Sequence, residues 1–254
     1  MALLTRRKFA DCILPLDDDI AKVHIFEPEF HQKIYVSACE NAAKAKGAFQ
    51  LGDTNIVERY PNRGSQPQYA DDEDDAGSII YRGMVRNDGT VVSDKMTTNV
   101  CALKSVSIRW GFLDFGVARS VDKEFYAKKK AKNAAQFADV LINSTGDGTI
   151  GRVAVYNRQH PSLVDGHVTI VRFRDKKLAW YTAAYLLSEE GQRQIYRYIN
   201  GSSGQVEIYP QDIARIWIPR PDDKKVADVA KRFQKAVAKY EEFQSELSTT
   251  LSDL

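Results

Sequence analysis

The sequence predicts a mixed α+β (α/β) chain: a globular domain over residues 1–220 built on a mixed or antiparallel sheet, then a long C-terminal coiled-coil helix over 221–254. Three observations predict it. Short β-branched runs, SIIYRGMV, TVVS, VCALKSVSIRWGFLDFGVA, DVLINST, RVAVYN and VTIVRF, are separated by Gly and Asp turn residues, the mark of short strands. Alanine-rich and aromatic stretches between them repeat at helical spacing. From Asp222 onward glycine and proline vanish, and apolar residues return every seven positions.

From Pro28 to Gly47 the chain opens with proline, is rich in alanine and ends at glycine, which predicts a helix with its stop signal. Residues 1–27 show no clear pattern. Residues 53–77 turn to Asn, Pro, Gly, Gln and Asp, with the acidic run Asp71, Asp72, Glu73, Asp74 and Asp75, and predict a long loop. The strand runs follow, with a turn at Asp88-Gly89. Val121 to Phe137 sets Lys123, Lys128, Lys129, Lys130 and Lys132 among alanines and predicts a basic helix. KLAWYTAAYLLSEEGQRQIYRYIN predicts one further helix, stopping at Gly201.

In the final helix Val226, Phe233, Tyr240 and Leu247 occupy a positions, with Val229, Ala236 and Phe243 at d. About three and a half heptads make a seam on the order of 40 Å long, more than one small domain covers, so a partner helix is expected.

Composition narrows the function. A chain of 254 residues with 43% hydrophobic content can bury its own core. With 36 basic against 34 acidic residues, any attraction to a polyanion must come from a local patch. Cys12, Cys39 and Cys101 are too few and too unevenly spaced for a disulfide framework or a zinc site, which fits a reducing, cytoplasmic setting. Arg6-Arg7 resembles a twin-arginine export signal, but Asp17, Asp18 and Asp19 cut the apolar run short of the roughly 7 to 15 residues such a signal needs. No window reaches the roughly 18 apolar residues of a membrane span.

Several catalytic readings are weak. Gly146-Asp147-Gly148-Thr149-Ile150-Gly151 fits the letters of a dinucleotide fingerprint, and a nucleotide-binding enzyme is one alternative. That fingerprint needs a helix to begin at the glycines, however, and Arg152-Val153-Ala154-Val155-Tyr156 reads as a strand. Pro221-Asp222-Asp223-Lys224 resembles part of a nuclease carboxylate set but sits where a helix N-terminus favours proline and acids. His24, His31, His160 and His167 lack ligand spacing, and no metal site is expected. The Asn-Pro-Pro-Tyr type motif of amino-group methyltransferases is absent, so any catalysis is expected from another protein.

Recognition chemistry remains. Arg82, Arg86, Lys95, the lysines of 123–132, Arg152, Arg172 and Arg174 lie near loops rich in Asn, Gln, Ser and Thr. Lysine and arginine neutralise DNA phosphates, while Arg on guanine and Asn or Gln on adenine make bidentate contacts in the major groove. For a single lysine, a solvated surface explains the residue as well; the cluster carries the argument.

The ordered combination DVLINSTGDGTIGRVAVYN, DGHVTIVRF, YTAAYLLSEEGQRQIYRYINGSSGQVEIYPQDIARIWIPRP and DDKKVADVAKRFQKAV resembles a target recognition domain of the DNA specificity subunits of type I restriction-modification enzymes. SIIYRGMVRNDGTVV extends the resemblance, which covers about residues 50–245. It implies a globular recognition domain with a long helix, double-stranded DNA as ligand, and no catalysis or cofactor of its own. It further implies a partner modification subunit, which binds S-adenosylmethionine and methylates the adenine amino nitrogen, and a restriction/translocase subunit. Family members usually carry two such units. One unit here fits a half-subunit that forms a homodimer through its helix, a part of a longer chain, or a single-domain factor; the first is favoured.

Within that reading Gln66, Gln68, Arg82, Arg86 and Asn87 are candidates for base edges, and Lys128, Lys129, Lys130, Arg172 and Arg174 for phosphates; Arg152 is a further candidate for DNA binding. Asn143, Ser144, Thr145, Thr149, Ser202, Ser203 and Gln205 belong to the family motifs, either as DNA contacts or as turn-forming structure. An adaptor with a coiled coil and no DNA specificity is the other alternative.

Overall fold

The computed structural model describes residues 28–70, 100–115, 117–201 and 205–252. The expected strands SIIYRGMV and TVVS, with Lys95, lie outside the described residues, as does the acidic run 71–75.

A short 3-10 turn, Pro28–His31, leads into α1 (Lys33–Ala43), inside the helix expected between Pro28 and Gly47. The strands are β1 (Phe49–Gln50), β2 (Asn62–Arg63), β3 (Cys101–Leu103), β4 (Arg119–Ser120), β5 (Val140–Asn143), β6 (Val153–Val155), β7 (Ser162–Val164), β8 (Val168–Val171) and β9 (Trp217–Ile218). The further helices are α2 (Lys123–Asn133), α3 (Lys176–Leu187), α4 (Glu189–Arg197), α5 (Pro210–Ile213) and α6 (Asp223–Ser252).

The central sheet runs β2-β8-β5-β6 and is antiparallel throughout, with Leu141 opposite both Ile170 and Ala154. A second sheet runs β4-β3-β7; β3 and β4 are antiparallel and β3 and β7 parallel, so the mixed architecture is observed. A small pair, β1 with β9, closes the chain onto α1's side.

Two-residue alternation along the strands divides the core. Val140 and Ile142 of β5, Val153 and Val155 of β6 and Val171 of β8 face the larger cluster, shared with α3, α4 and α6. Leu141, Ala154, Val168 and Ile170 face the opposite way, onto Cys101, Leu103, Ile108, Phe115 and Tyr156 between the two sheets. The central strands are buried on both faces, which is why their sequences read as continuous apolar runs.

Three sequence expectations change. The helix expected through Asn200 is two helices: Ser188 takes an extended conformation (ψ 163°), ends α3, and accepts a hydrogen bond from Gly191 N to start α4. Among its described residues, the long run after Val100 holds only the short strands β3 and β4, with a 3-10 turn and an isolated bridge, Ile108 with Leu113, between them. Finally, β7 was not expected as a strand at all; three residues are too short to show alternation.

Candidate nucleic-acid interface

Residues 64–70 form a strap that crosses the edge of the second sheet. Ser65 N donates to Val164 O (3.0 Å), Ala70 N to Ser120 O (3.2 Å), and Gln68 O accepts from Asp122 N (2.9 Å). Gly64 makes the crossing possible: an added Cβ would lie 1.9 Å from Val164 O. Pro67 is buried and holds the preceding residue extended, so Gln66 and Gln68 are turned to the exposed side. The two base-edge candidates in the described structure are thus fixed by backbone on both flanks. Arg82, Arg86 and Asn87 lie outside the described residues.

Asp122 also caps α2, accepting from Phe125 N at 2.7 Å. Phe125 and Tyr126 pack with Tyr69 of the strap against Val100, Ala102, Val121 and Leu163. The C-terminal end of α2 is tied to β2, where Asn133 Nδ2 donates to Arg63 O (3.0 Å) and Ser65 Oγ donates to Asn133 Oδ1 (3.0 Å). Strap and basic helix therefore form one body, on which Lys128, Lys129 and Lys130 are exposed. Lys128 lies 3.8 Å from Glu124 in an open pair and Lys129 approaches the Phe125 ring at 5.9 Å; exposed pairs of this kind hold a lysine only weakly.

Sequence reasoning passed over Tyr69, Lys104 and Arg119. Arg119 stacks on the Tyr69 ring at 4.1 Å and the Lys104 ammonium approaches the same ring at 5.5 Å. They come from the strap, the end of β3 and β4, three segments distant in sequence, so no local spacing signals them.

The family-motif residues gather at one end of the central sheet. Thr145 Oγ1 lies 2.8 Å from His167 Nδ1, and Gly166 backs onto the strap at Gln66 N (3.4 Å for an added Cβ). Thr149 Oγ1 donates to Thr145 O (3.1 Å), and Arg152 Nη2 to Gly148 O (3.0 Å), which closes the glycine turn. Glu207 bridges both Thr145 and Asn200, and its carboxylate pairs with Arg63. Asn143 and Ser144 are fully buried; Asn143 Nδ2 donates to Thr145 O (3.2 Å) and Ser144 Oγ meets Thr169 Oγ1 at 2.7 Å. Their side chains build the turn. Thr145 and His167 stand at its surface, as does Gln205, while Ser202 and Ser203 lie outside the described residues. The glycine turn leads into strand β6, not a helix, so the pyrophosphate cradle of a dinucleotide fold is absent at this turn.

Two expected phosphate ligands are elsewhere. Arg172 and Arg174 follow the opposite end of β8 from His167. Arg172 is 8% exposed and binds Asp139 through two parallel bonds, Nε to Oδ1 and Nη2 to Oδ2, both 2.7 Å. Burial pushes the Asp139 carboxyl up, against the pull of Arg172. The guanidinium is committed to the core and is not available to DNA in this fold. Arg174 is exposed, with Nε on Thr54 O (3.1 Å), but stands apart from the strap.

The long helix also differs from its heptad expectation. Val226, Ala230 and Val237 are buried in the main core, and Phe233 packs edge-on to Trp180 with ring centroids 5.8 Å apart. This stripe uses a and e positions, so Ala236 at d is exposed and Val229 only half-buried. The first half of the seam is covered by the chain's own α3. Tyr240 stacks on Phe112 (4.0 Å) and Glu241 pairs with Arg158 (3.0 Å), two anchors further along the helix. A cavity of about 520 Å³ lies there, between residues 109–115 and α6. Beyond it Phe243, Leu247 and Leu251 are 54%, 42% and 60% exposed.

Among the described residues, no group of three or more His, Cys, Asp or Glu side chains is placed to hold a metal, and no helix is long and apolar enough to cross a membrane.

No family model and no curated protein matches the sequence. Solved structures do. The type IIG restriction endonuclease BpuSI superposes with a TM-score of 0.53 at 13% identity, over 82% of this chain and 29% of that one. The type I restriction-modification S subunit from M. genitalium gives 0.45 at 12% identity, over 78% and 41%, and the HsdS subunit from Thermoanaerobacter tengcongensis gives 0.42 at 13%, over 87% and 50%. The BpuSI match carries the likeness of fold, and the mixed fold with a long helix expected from the sequence resemblance is the fold observed. The chain spans half or less of the length of each of these structures.

Proposed function

We propose that this chain is a DNA specificity subunit, or half-subunit, of a restriction-modification system. It reads a sequence in double-stranded DNA and positions a modification subunit that binds S-adenosylmethionine and methylates the adenine amino nitrogen, together with a restriction/translocase subunit. The chain itself catalyses nothing and works in the cytoplasm.

The observation that carries this reading is the strap. Two glutamines, the side-chain type that pairs bidentately with adenine, are held outward by a pinned backbone beside a helix bearing exposed lysines. Affinity from the lysines and preference from the glutamines is the division of labour expected of a DNA reader. The likeness of fold to a restriction endonuclease supports the same reading.

The uncovered stripe Phe243, Leu247 and Leu251, continuing from Tyr240, supports a helical partner, and a second copy of the chain is favoured. Two copies related by a two-fold axis place two straps on the arms of a split, palindromic site.

Methylation mapping tests the proposal, in a host carrying the neighbouring methyltransferase with and without this chain. A bipartite adenine motif that appears only with the chain supports it, and symmetric halves support the dimer. An unchanged methylome beside a demonstrably active methyltransferase overturns it in favour of an adaptor.

A further inference from the structure

We infer that His167, its ring aimed by Thr145, is a further base-edge contact beside the strap, reading a position next to those met by Gln66 and Gln68. The inference rests on the DNA-reading proposal above and adds a specificity-determining residue to it.

His167 is exposed in the turn between β7 and β8, yet it is held at three points. Its N–H donates to Asp165 Oδ1 (2.8 Å), its carbonyl accepts from Ser144 N (2.9 Å), and its Nδ1 meets Thr145 Oγ1 at 2.8 Å. Asp165 and Ser144 are fully buried, so the backbone is anchored from inside. The bond to Thr145 differs, because water replaces a hydrogen bond between surface side chains at little cost to the fold. Its effect is to fix the direction of the imidazole. In a neutral ring one nitrogen donates and the other accepts, so whichever role Nδ1 takes toward Thr145, Nε2 presents the opposite one. Nε2 meets no partner among the described residues.

The residues on either side of His167 both touch the strap. Val168 O accepts from Gly64 N (3.1 Å), and Gly166 lies against Gln66 N, 3.4 Å from an added Cβ. Glycine at both crossings leaves no side chain between the turn and the strap. A second tie runs through Arg63, whose partner Glu207 is bridged to Thr145. Successive Cα atoms are about 3.8 Å apart, close to the ~3.4 Å step between bases, so His167 and Gln66 reach neighbouring base pairs.

Charge separates a base edge from a phosphate. Asp147 is exposed in the glycine turn, and Arg152, the one cation of residues 143–152, donates back to Gly148 O (3.0 Å). This end of the sheet gathers no excess of positive charge for a backbone phosphate, which the lysines of α2 supply instead. One directed hydrogen bond at Nε2 suits a base edge: an acceptor there fits adenine N6 or cytosine N4, and a donor fits a purine N7.

Methylation mapping tests the inference, in a host carrying the neighbouring methyltransferase with the wild-type chain, His167→Ala, Thr145→Val or Thr145→Ser, each purified chain checked for folding by thermal melting. His167→Ala is expected to lose roughly 2- to 10-fold discrimination at one position of the motif, the worth of one hydrogen bond, and to keep the other positions. Thr145 is a positioning residue: Thr145→Val keeps the shape without the hydroxyl and should blur the same position, while Thr145→Ser should restore it. Should His167→Ala fail to fold, the two Thr145 variants decide. A folded His167→Ala chain that directs the wild-type motif, or that lowers methylation equally at every site, overturns the contact and leaves the DNA reading in place. An unchanged motif in Thr145→Val overturns the aiming of the ring. A wild-type chain that directs no motif beside an active methyltransferase overturns the DNA reading, and this assignment with it.

Discussion

Asp122 donates its backbone N–H to the carbonyl of Gln68 at 2.9 Å while its carboxylate caps α2 at Phe125 N. One residue thus fixes both the strap that presents the glutamines and the start of the helix that presents the lysines. Asp122→Ala is expected to cost about 1 kcal/mol, the worth of an N-cap, and to lower Tm by roughly 2–4 °C in a chain of this size. Because the backbone bond to Gln68 survives the change, sequence preference should persist. A melting temperature equal to the wild type's contradicts the cap's role.

Arg172 and Asp139 form a bidentate pair inside the core. Asp139→Ala leaves a buried guanidinium unpaired and should destabilise the chain by about 3–5 kcal/mol in urea denaturation; Arg172→Ala should be similar. Stability close to the wild type's, together with weakened DNA binding in Arg172→Ala, would restore Arg172 as a phosphate ligand.

Burial pushes the Asp165 carboxyl up, opposed by the N–H of His167 and the charges of His167 and Lys104. With its folded pKa above the unfolded value, the stability linked to Asp165 is present below the ordinary carboxylate range and is lost as pH rises through the raised value. Asp165→Asn keeps an acceptor for His167 N and removes that loss. It is therefore expected to raise Tm at pH 7 and to change it little near pH 3, where Asp165 is protonated folded or unfolded. An unchanged or lower Tm at pH 7 contradicts this account of Asp165.

The last turns of α6 carry Phe243, Leu247 and Leu251 exposed. Replacing Phe243 and Leu247 by Asp should leave the fold intact and weaken self-association by at least ~30-fold, taking about 2 kcal/mol for one interface anchor. Sedimentation equilibrium measures it. Val237→Asp, by contrast, places a charge in the core and should unfold the chain. Unchanged association in the Phe243 and Leu247 variant would remove this stripe as the joint.

Much of this molecule is legible in its residue pattern, and the failures have physical causes. The basic helix shows because Asp122 is a strong cap and its lysines face solvent along their whole length. The central strands show because both faces are apolar. The register of α6 does not: Val226, Phe233 and Tyr240 satisfy a heptad, but Ala230 and Val237 select the side that meets α3, and an alanine or valine at e carries no signal of its own. Arg172 was grouped with Arg174 on charge alone, and only the fold brings Asp139 against it. Tyr69, Lys104 and Arg119 belong together solely through sheet pairing and were invisible for the same reason.

The most direct test of the central claim is the methylome of a host in which Gln66→Ala and Gln68→Ala are introduced together, beside the wild-type chain at equal expression. If the strap reads sequence, the methylated motif persists but becomes degenerate at one or two neighbouring positions, each substitution removing about 1–3 kcal/mol of base discrimination. An identical motif, methylated to the same extent, would contradict it.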